Sequence, residues 1–207
     1  MNVATLAVVF AAGFIVMTPI GPVSAICIRR TLIYGHRAGI AAGAGDAVAV
    51  ATYATIGATG STLLPRFLAQ FAAVWHIAIA VVLVAVALLI WRSQPELPST
   101  AAQTRANLAG GFGAALALAL ANPADIVLFT ALFAGLGIAL HSPADYGLFS
   151  AAMFAGGCAY WIAVSLLLDR WRAGLTLARM VGLNRACSAL MMIAAMGSLV
   201  SLARATS

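Results

Sequence analysis

A single carboxylate inside an apolar, glycine-rich segment is the residue of this chain best suited to chemistry. Asp46 follows Gly45 in a stretch from Ala38 to Gly60 that is long enough to cross a membrane. Counted from Ala38 at about 1.5 Å per residue, Asp46 lies on the order of 12 Å into the bilayer. A carboxylate there costs roughly 2.5–3.5 kcal/mol on insertion scales. We therefore interpret Asp46 as an acceptor for a proton, a cation or a substrate ammonium group; the alternative is a structural acid bonded to a neighbouring helix.

Two proline-containing breaks interrupt other apolar segments. The first is Thr18–Pro22, with the sequence TPIGP, and the second is Asn122–Asp125, with the sequence NPAD. Proline lacks a backbone donor and clashes with the preceding helical turn, so both breaks free backbone groups that need other partners. Such half-helix ends bind substrates or ions in transporters, whereas the plainer readings are a sharp turn and a proline kink. The candidate binding residues are Pro19, Gly21, Pro22, Gly45, Asp46, Asn122, Pro123 and Asp125.

The composition places all of these residues in an integral membrane protein. The chain has 207 residues, of which 64% are hydrophobic and 8% are charged, whereas a soluble domain carries about 25% charged residues. The charge of +6 comes from arginines scattered along the chain, so we expect no nucleic-acid partner. The three cysteines are far apart, and no phosphate-binding loop or metal-ligand spacing is present. We therefore expect a protein without a cofactor or a metal that is not an enzyme.

Six apolar segments approach the length of about 20 residues that a membrane-spanning helix needs. Nine of the 11 arginines fall in the loops on one side of these segments, and Arg66 and Arg204 fall on the other side. The positive-inside rule then places the first side in the cytoplasm and both termini outside. The predicted spans are Val3–Pro22, Ala38–Gly60, Leu68–Trp91, Gly113–Ala139, Tyr146–Leu168 and Ala186–Leu202.

A polar linker at residues 92–107 divides the single transmembrane domain, residues 1–207, into two halves. Residues 1–91 and residues 108–207 each hold three predicted spans, so the second half enters the membrane from the opposite side. Each half also has a break in its first span and glycines in its second. The predicted fold is therefore an all-α integral membrane protein with six transmembrane helices in two inverted three-helix repeats.

The order and spacing of several short motifs resemble the lysine exporter / homoserine–threonine efflux family of small bacterial membrane exporters. This resemblance implies a six-helix inner-membrane protein that exports amino acids or related small metabolites by antiport with protons. It assigns the family's proline–glycine–proline, glycine–aspartate and asparagine–proline elements to the candidate residues above. The chain departs from the family pattern by an inserted Ile20 and by Ala124, where many members have lysine. The matching motifs are Thr18–Pro22, Gly35–Ile40, Gly45–Asp46, Asn122–Pro123 and Leu183–Arg185.

The residues and the resemblance together favour a proton-coupled amino-acid exporter in the bacterial inner membrane. Its expected partners are an amino-acid-like substrate, protons and the lipid bilayer; the sequence leaves open whether it forms a homo-oligomer. The alternative is a divalent metal-cation exporter that uses Asp46 and Asp125 with Asn122, although these supply few oxygen ligands. A membrane redox carrier would need a pair of reactive cysteines in facing helices, and this is the least favoured reading.

Overall fold

A computed structural model describes residues 1–18, 21–59, 71–92, 105–121, 129, 138, 140–171, 174 and 176–206. All the secondary-structure elements longer than one turn in these ranges are α-helices, which confirms the predicted all-α class. The predicted Pro19, Asn122, Pro123 and Asp125, and most of the linker, lie outside the described residues. The helices are α1 (Val3–Val16), α2 (Pro22–Tyr34), α3 (His36–Ala58), α4 (Ala72–Arg92), α5 (Arg105–Leu120), α6 (Pro143–Trp171) and α7 (Leu177–Thr206).

Several helices are long and apolar enough to cross a membrane. His36–Ala58, Pro143–Trp171 and Leu177–Val200 meet this criterion in the described part of the chain. Shorter apolar helices cover Val3–Val16, His76–Arg92 and Leu108–Leu120. These elements indicate a multi-pass membrane protein. The largest differences from the predicted starts of the spans are at α5, which begins inside the expected linker, and at α7, which begins nine residues before Ala186.

The first predicted break separates two helices. Helix α1 ends at Val16, and α2 begins at Pro22 with the extended Gly21 (φ −129°) as its N-cap. Proline suits the first position of a helix, because its missing N–H would have no partner there and its fixed φ is already helical. The sequence prediction that Arg29 and Arg30 belong to a loop is wrong, since both lie in α2.

Contacts between helix ends show which ends lie together. His36, which begins α3, contacts Asp169 near the end of α6, and the Arg185 guanidinium near the start of α7 lies over the Trp91 ring at the end of α4. We call this side the arginine-rich end of the bundle. Helix α2 also points towards it, and Gly35, with φ 91° in the left-handed region that favours glycine, turns the chain from α2 into α3.

Two apolar clusters form the core, and α2 contributes to both. The first cluster joins α1, α2, α3, α5 and α6 and includes Val9, Met17, Cys27, Ala42, Ala47, Tyr53, Ala115 and Trp161. The second cluster joins α2 and α5 to α4 and α7 and includes Ala25, Ile26, Ala80, Leu83, Ala87, Leu118, Cys187 and Met191. Because Cys27 packs in the first cluster and Ile26 packs in the second, α2 lies between the two clusters.

Candidate functional site

Asp46 lies inside the bundle, as its glycine-lined helix face predicts. It is 8% exposed, and the indole Nε1–H of Trp161 on α6 donates a hydrogen bond to its Oδ2 at 3.1 Å. Gly43, one turn earlier on α3, makes this contact possible, because a Cβ on Gly43 would lie 2.1 Å from Trp161 Cγ. The tryptophan ring therefore packs directly on the α3 backbone, and its N–H reaches the carboxylate.

Helix α5 packs closely on the same turn of α3. A Cβ on Gly45 would lie 2.3 Å from the backbone oxygen of Phe112, so only glycine fits at this crossing. Small residues allow backbones in a membrane bundle to approach closely, and this packing fixes the helices around the acid. Gly45 thus has a structural reason to precede Asp46, while a role in binding substrate stays a prediction.

The end of α1 reaches the turn that carries Asp46. A Cβ on Gly157 of α6 would lie 2.7 Å from Met17 Cε and 3.0 Å from Ala47 Cβ. Met17 immediately follows α1, and Ala47 immediately follows Asp46. The structure therefore brings the near edge of the first predicted break close to the acid. Beyond it, a Cβ on Gly21 would meet no described atom within 4 Å, so the N-terminus of α2 adjoins open space.

The near edge of the second predicted break contacts the same face of α3 farther along the helix. Helix α5 ends at Leu120, two residues before Asn122, and the Tyr53 hydroxyl donates a hydrogen bond to the Leu120 carbonyl. Tyr53 follows Asp46 by seven residues, or about 10.5 Å along the helix. The carbonyl at the end of α5 is thus bonded to α3, two turns from the acid.

Polar side chains on α6 extend from the level of Asp46 to the arginine-rich end of the bundle. Trp161, Ser165 and Asp169 recur every four residues and so share one helix face, which packs against α2 and α3. The Thr31 and Ser165 hydroxyls lie 3.3 Å apart, and His36 Nδ1 lies 2.8 Å from Asp169 Oδ2. We call the six residues Thr31, His36, Asp46, Trp161, Ser165 and Asp169 the polar seam.

Sequence reasoning missed most of this seam. The candidates that the sequence predicts include none of the other five seam residues, namely Thr31, His36, Trp161, Ser165 and Asp169. The four-residue recurrence of polar or amphipathic side chains on α6 was the available signal. This recurrence does not predict which residues the α6 side chains contact, because Trp161 and Asp46 are separated by 115 residues along the chain.

Within the described ranges, no group of three or more histidine, cysteine, aspartate or glutamate side chains is arranged to hold a metal ion. Cys27, Cys158 and Cys187 are free thiols in three different helices. The three described cysteines therefore form neither a metal centre nor a disulfide with one another.

Long apolar helices packed around a buried carboxylate define the class: a multi-pass helical membrane protein with a polar site inside the bundle. The model of the LysE type translocator family matches residues 14–201, which is most of the chain. The chain belongs to this family, and the resemblance found in its motifs is confirmed. Neither the curated proteins nor the solved structures compared with the chain gave a match.

Proposed function

We propose that this protein is a proton-coupled secondary transporter that exports amino acids or related small metabolites across the bacterial inner membrane. Membership of the LysE type translocator family supports membrane efflux of this kind. The observation that carries the proposal is the buried Asp46 carboxylate with its Trp161 donor. An indole N–H is a neutral donor, so it orients the carboxylate without cancelling the carboxylate charge.

The proposed cycle uses Asp46 for two competing cations. When the site faces outward, Asp46 takes up a proton, and the neutral carboxyl no longer holds the ammonium group of the substrate. When the site faces the cytoplasm, the proton leaves and the carboxylate binds the next ammonium group. One charge thus serves alternately for substrate and proton, and this competition gives antiport with one site.

The helix ends beside Asp46 are suited to the remainder of the substrate. The N-terminus of α2 presents backbone N–H groups beyond Pro22, and a helix N-terminus favours an anionic or carbonyl group. Rocking of one inverted three-helix repeat against the other would expose the site to each side in turn. In this arrangement α1 and α2 together form the first of six spans, and both termini lie outside.

Proteoliposomes that hold the purified protein and a ¹⁴C-labelled amino acid test the proposal directly. The interior is kept at neutral pH, and efflux is followed after dilution into a neutral or an acidic medium. We expect the acidic medium to accelerate efflux by the wild type, and we expect Asp46→Asn to lose this acceleration. Asp145→Asn is the matched control, because Asp145 lies in the first turn of α6, away from the polar seam.

Two results would contradict the proposal. Equal acceleration in wild type and Asp46→Asn would remove Asp46 from proton coupling. If none of the twenty standard amino acids leaves the liposomes while Mn²⁺ does, the transported class is wrong and the metal-exporter alternative is correct.

A further inference from the structure

Two adjacent arginines on α2 point to different neighbours. The Arg29 Nε–H donates a hydrogen bond to Asn184 Oδ1 on α7 at 2.8 Å. The Arg30 side chain instead lies over Gly111 of α5, where a Cβ would be 2.7 Å from one terminal guanidinium nitrogen. The half-buried Arg30 therefore points towards α5, whereas Arg29 is held at the α7 side of α2.

The stretch of α5 that contacts Arg30 also contacts the turn of Asp46. Phe112 follows Gly111, and its backbone oxygen packs against Gly45 of α3. Gly111 and Phe112 thus touch the arginine on one side and the residue before the acid on the other.

The positions of Arg30 and Asp46 along the bundle axis follow from the packing of α2 against α3. Thr31 lies beside Gly39, because a Cβ on Gly39 would be 1.8 Å from the Thr31 hydroxyl oxygen. With that register, Arg30 is level with Ile40, six residues or about 9 Å nearer the arginine-rich end than Asp46. The long arginine side chain is able to cover part of this height. Asp46 and Arg30 thus lie at successive levels beside the Gly111–Phe112 stretch of α5, which contacts Gly45 and the Arg30 guanidinium.

We propose that Arg30 binds the carboxylate of the transported α-amino acid while Asp46 binds its ammonium group. This inference rests on the proposed function and adds the residue that binds the carboxylate of the substrate. The planar guanidinium presents paired donors that match a carboxylate, and charge-assisted bonds of this type are strong. Because Gly111 has no side chain, it leaves room for the Arg30 guanidinium. Amines and esters, which lack the carboxylate, are poor substrates for such a site.

The first test uses the unaltered protein in proteoliposomes and measures counterflow of each ¹⁴C-labelled standard amino acid. For every amino acid that is transported, the unlabelled amino acid, its methyl ester and its decarboxylated amine are compared as competitors. We expect the ester and the amine to need a concentration about tenfold or more higher, because each loses a charge-assisted hydrogen bond to Arg30. Equal inhibition by acid, ester and amine would overturn the proposal.

The second test compares Arg30→Gln with Arg29→Gln, which remove the same charge from adjacent positions of one helix. We expect Arg30→Gln to raise the half-saturating concentration of the amino acid about tenfold and to abolish discrimination against the ester. Arg29→Gln should keep that discrimination, and Arg30→Lys should restore part of it. Equal losses in the two glutamine variants would show that only positive charge at the membrane surface matters.

Failure of this inference is separable from failure of the proposed function. Proton-driven efflux and its dependence on Asp46 are measured in the same liposomes. If both persist while the ester competes as well as the amino acid, Arg30 has no role in recognition and the exporter proposal stands. The competitor comparison needs no substitution, so it decides the question even if Arg30→Gln does not fold.

Discussion

The contact between α3 and α6 and the contact between α4 and α7 are built in opposite ways. On α3 and α6, glycines leave room for side chains of the facing helix, such as Trp161 against Gly43, and polar side chains from Asp46 to Asp169 line the contact. On α4 and α7, side chains such as Leu83, Ile90 and Met191 fill the space between the helices. Polar contacts there include a Ser188 bond to the Ala87 carbonyl at 3.0 Å and a His76–Ser198 contact.

Under the proposed function, this difference distinguishes a contact that takes part in transport from a contact that only stabilises the bundle. Lipid tails are as apolar as leucine, so helices in a membrane associate through close packing and hydrogen bonds. The α4–α7 contact satisfies this requirement with interlocked apolar side chains. The α3–α6 contact holds an ionisable group at a cost that packing alone does not require. We infer that α3–α6 carries the chemistry and that α4–α7 holds the bundle together.

The largest expected effect comes from filling the close approach on α3. Gly43→Val places a side chain within the Trp161 ring, and we expect a loss of about 4 kcal/mol or more, well beyond ordinary overpacking. Folded protein recovered in detergent measures the effect. Gly113→Val on α5 is the control, since a Cβ there meets nothing within 4 Å in the described structure. Similar recovery of both variants would show that α3 and α6 are not tightly packed.

The scaffold contact is weakened by Leu83→Ala. Leu83 is 4% exposed in the second cluster, and truncating a buried leucine costs about 2–3 kcal/mol. Thermal unfolding in detergent should show this loss, while efflux per folded molecule stays unchanged. Leu89→Ala on the same helix, where Leu89 is 70% exposed, should alter neither quantity. A selective loss of efflux in Leu83→Ala would argue against a purely structural α4–α7 contact.

Trp161→Phe separates the two tasks of the ring. The aromatic packing on Gly43 remains, but the N–H to Asp46 is lost, so we expect proton-driven efflux to fall about tenfold, equivalent to about 1.4 kcal/mol. Trp171→Phe is the matched control, because Trp171 lies on the same helix and is 67% exposed. Efflux by Trp161→Phe at the wild-type rate would mean that the indole bond does not position Asp46.

The smallest expected effects come from two buried serines. Ser165→Ala and Ser188→Ala each remove one interhelical hydrogen bond, which costs about 0.6 kcal/mol on average in a membrane protein. The stability losses should match. Efflux should change by up to about threefold only in Ser165→Ala, because the proposed rocking of the two halves would move α6 relative to α2 and break the bond to Thr31. Equal effects on efflux would show that transport depends no more on the Ser165 contact than on the Ser188 contact.

Sequence reasoning identified the helical class, the first break and the inward position of Asp46, because each depends on local pattern. A run of apolar residues, a proline and a glycine-lined face act within one or two helical turns. Helix α2 was missed for the same reason. Its two arginines resemble a loop when burial is unknown, whereas in the bundle Arg29 bonds to Asn184 and Arg30 covers Gly111.

The sequence by itself determined that this chain enters a membrane, where its first helix ends and which acid lies within the bundle. The transfer free energy of apolar residues and the missing N–H of proline are properties of single segments. Only the tertiary structure decided what those residues meet. The Trp161 donor to Asp46 and the contact of His36 with Asp169 join positions 115 and 133 residues apart. Such pairs depend on how glycine-lined helices pack, which no local pattern specifies.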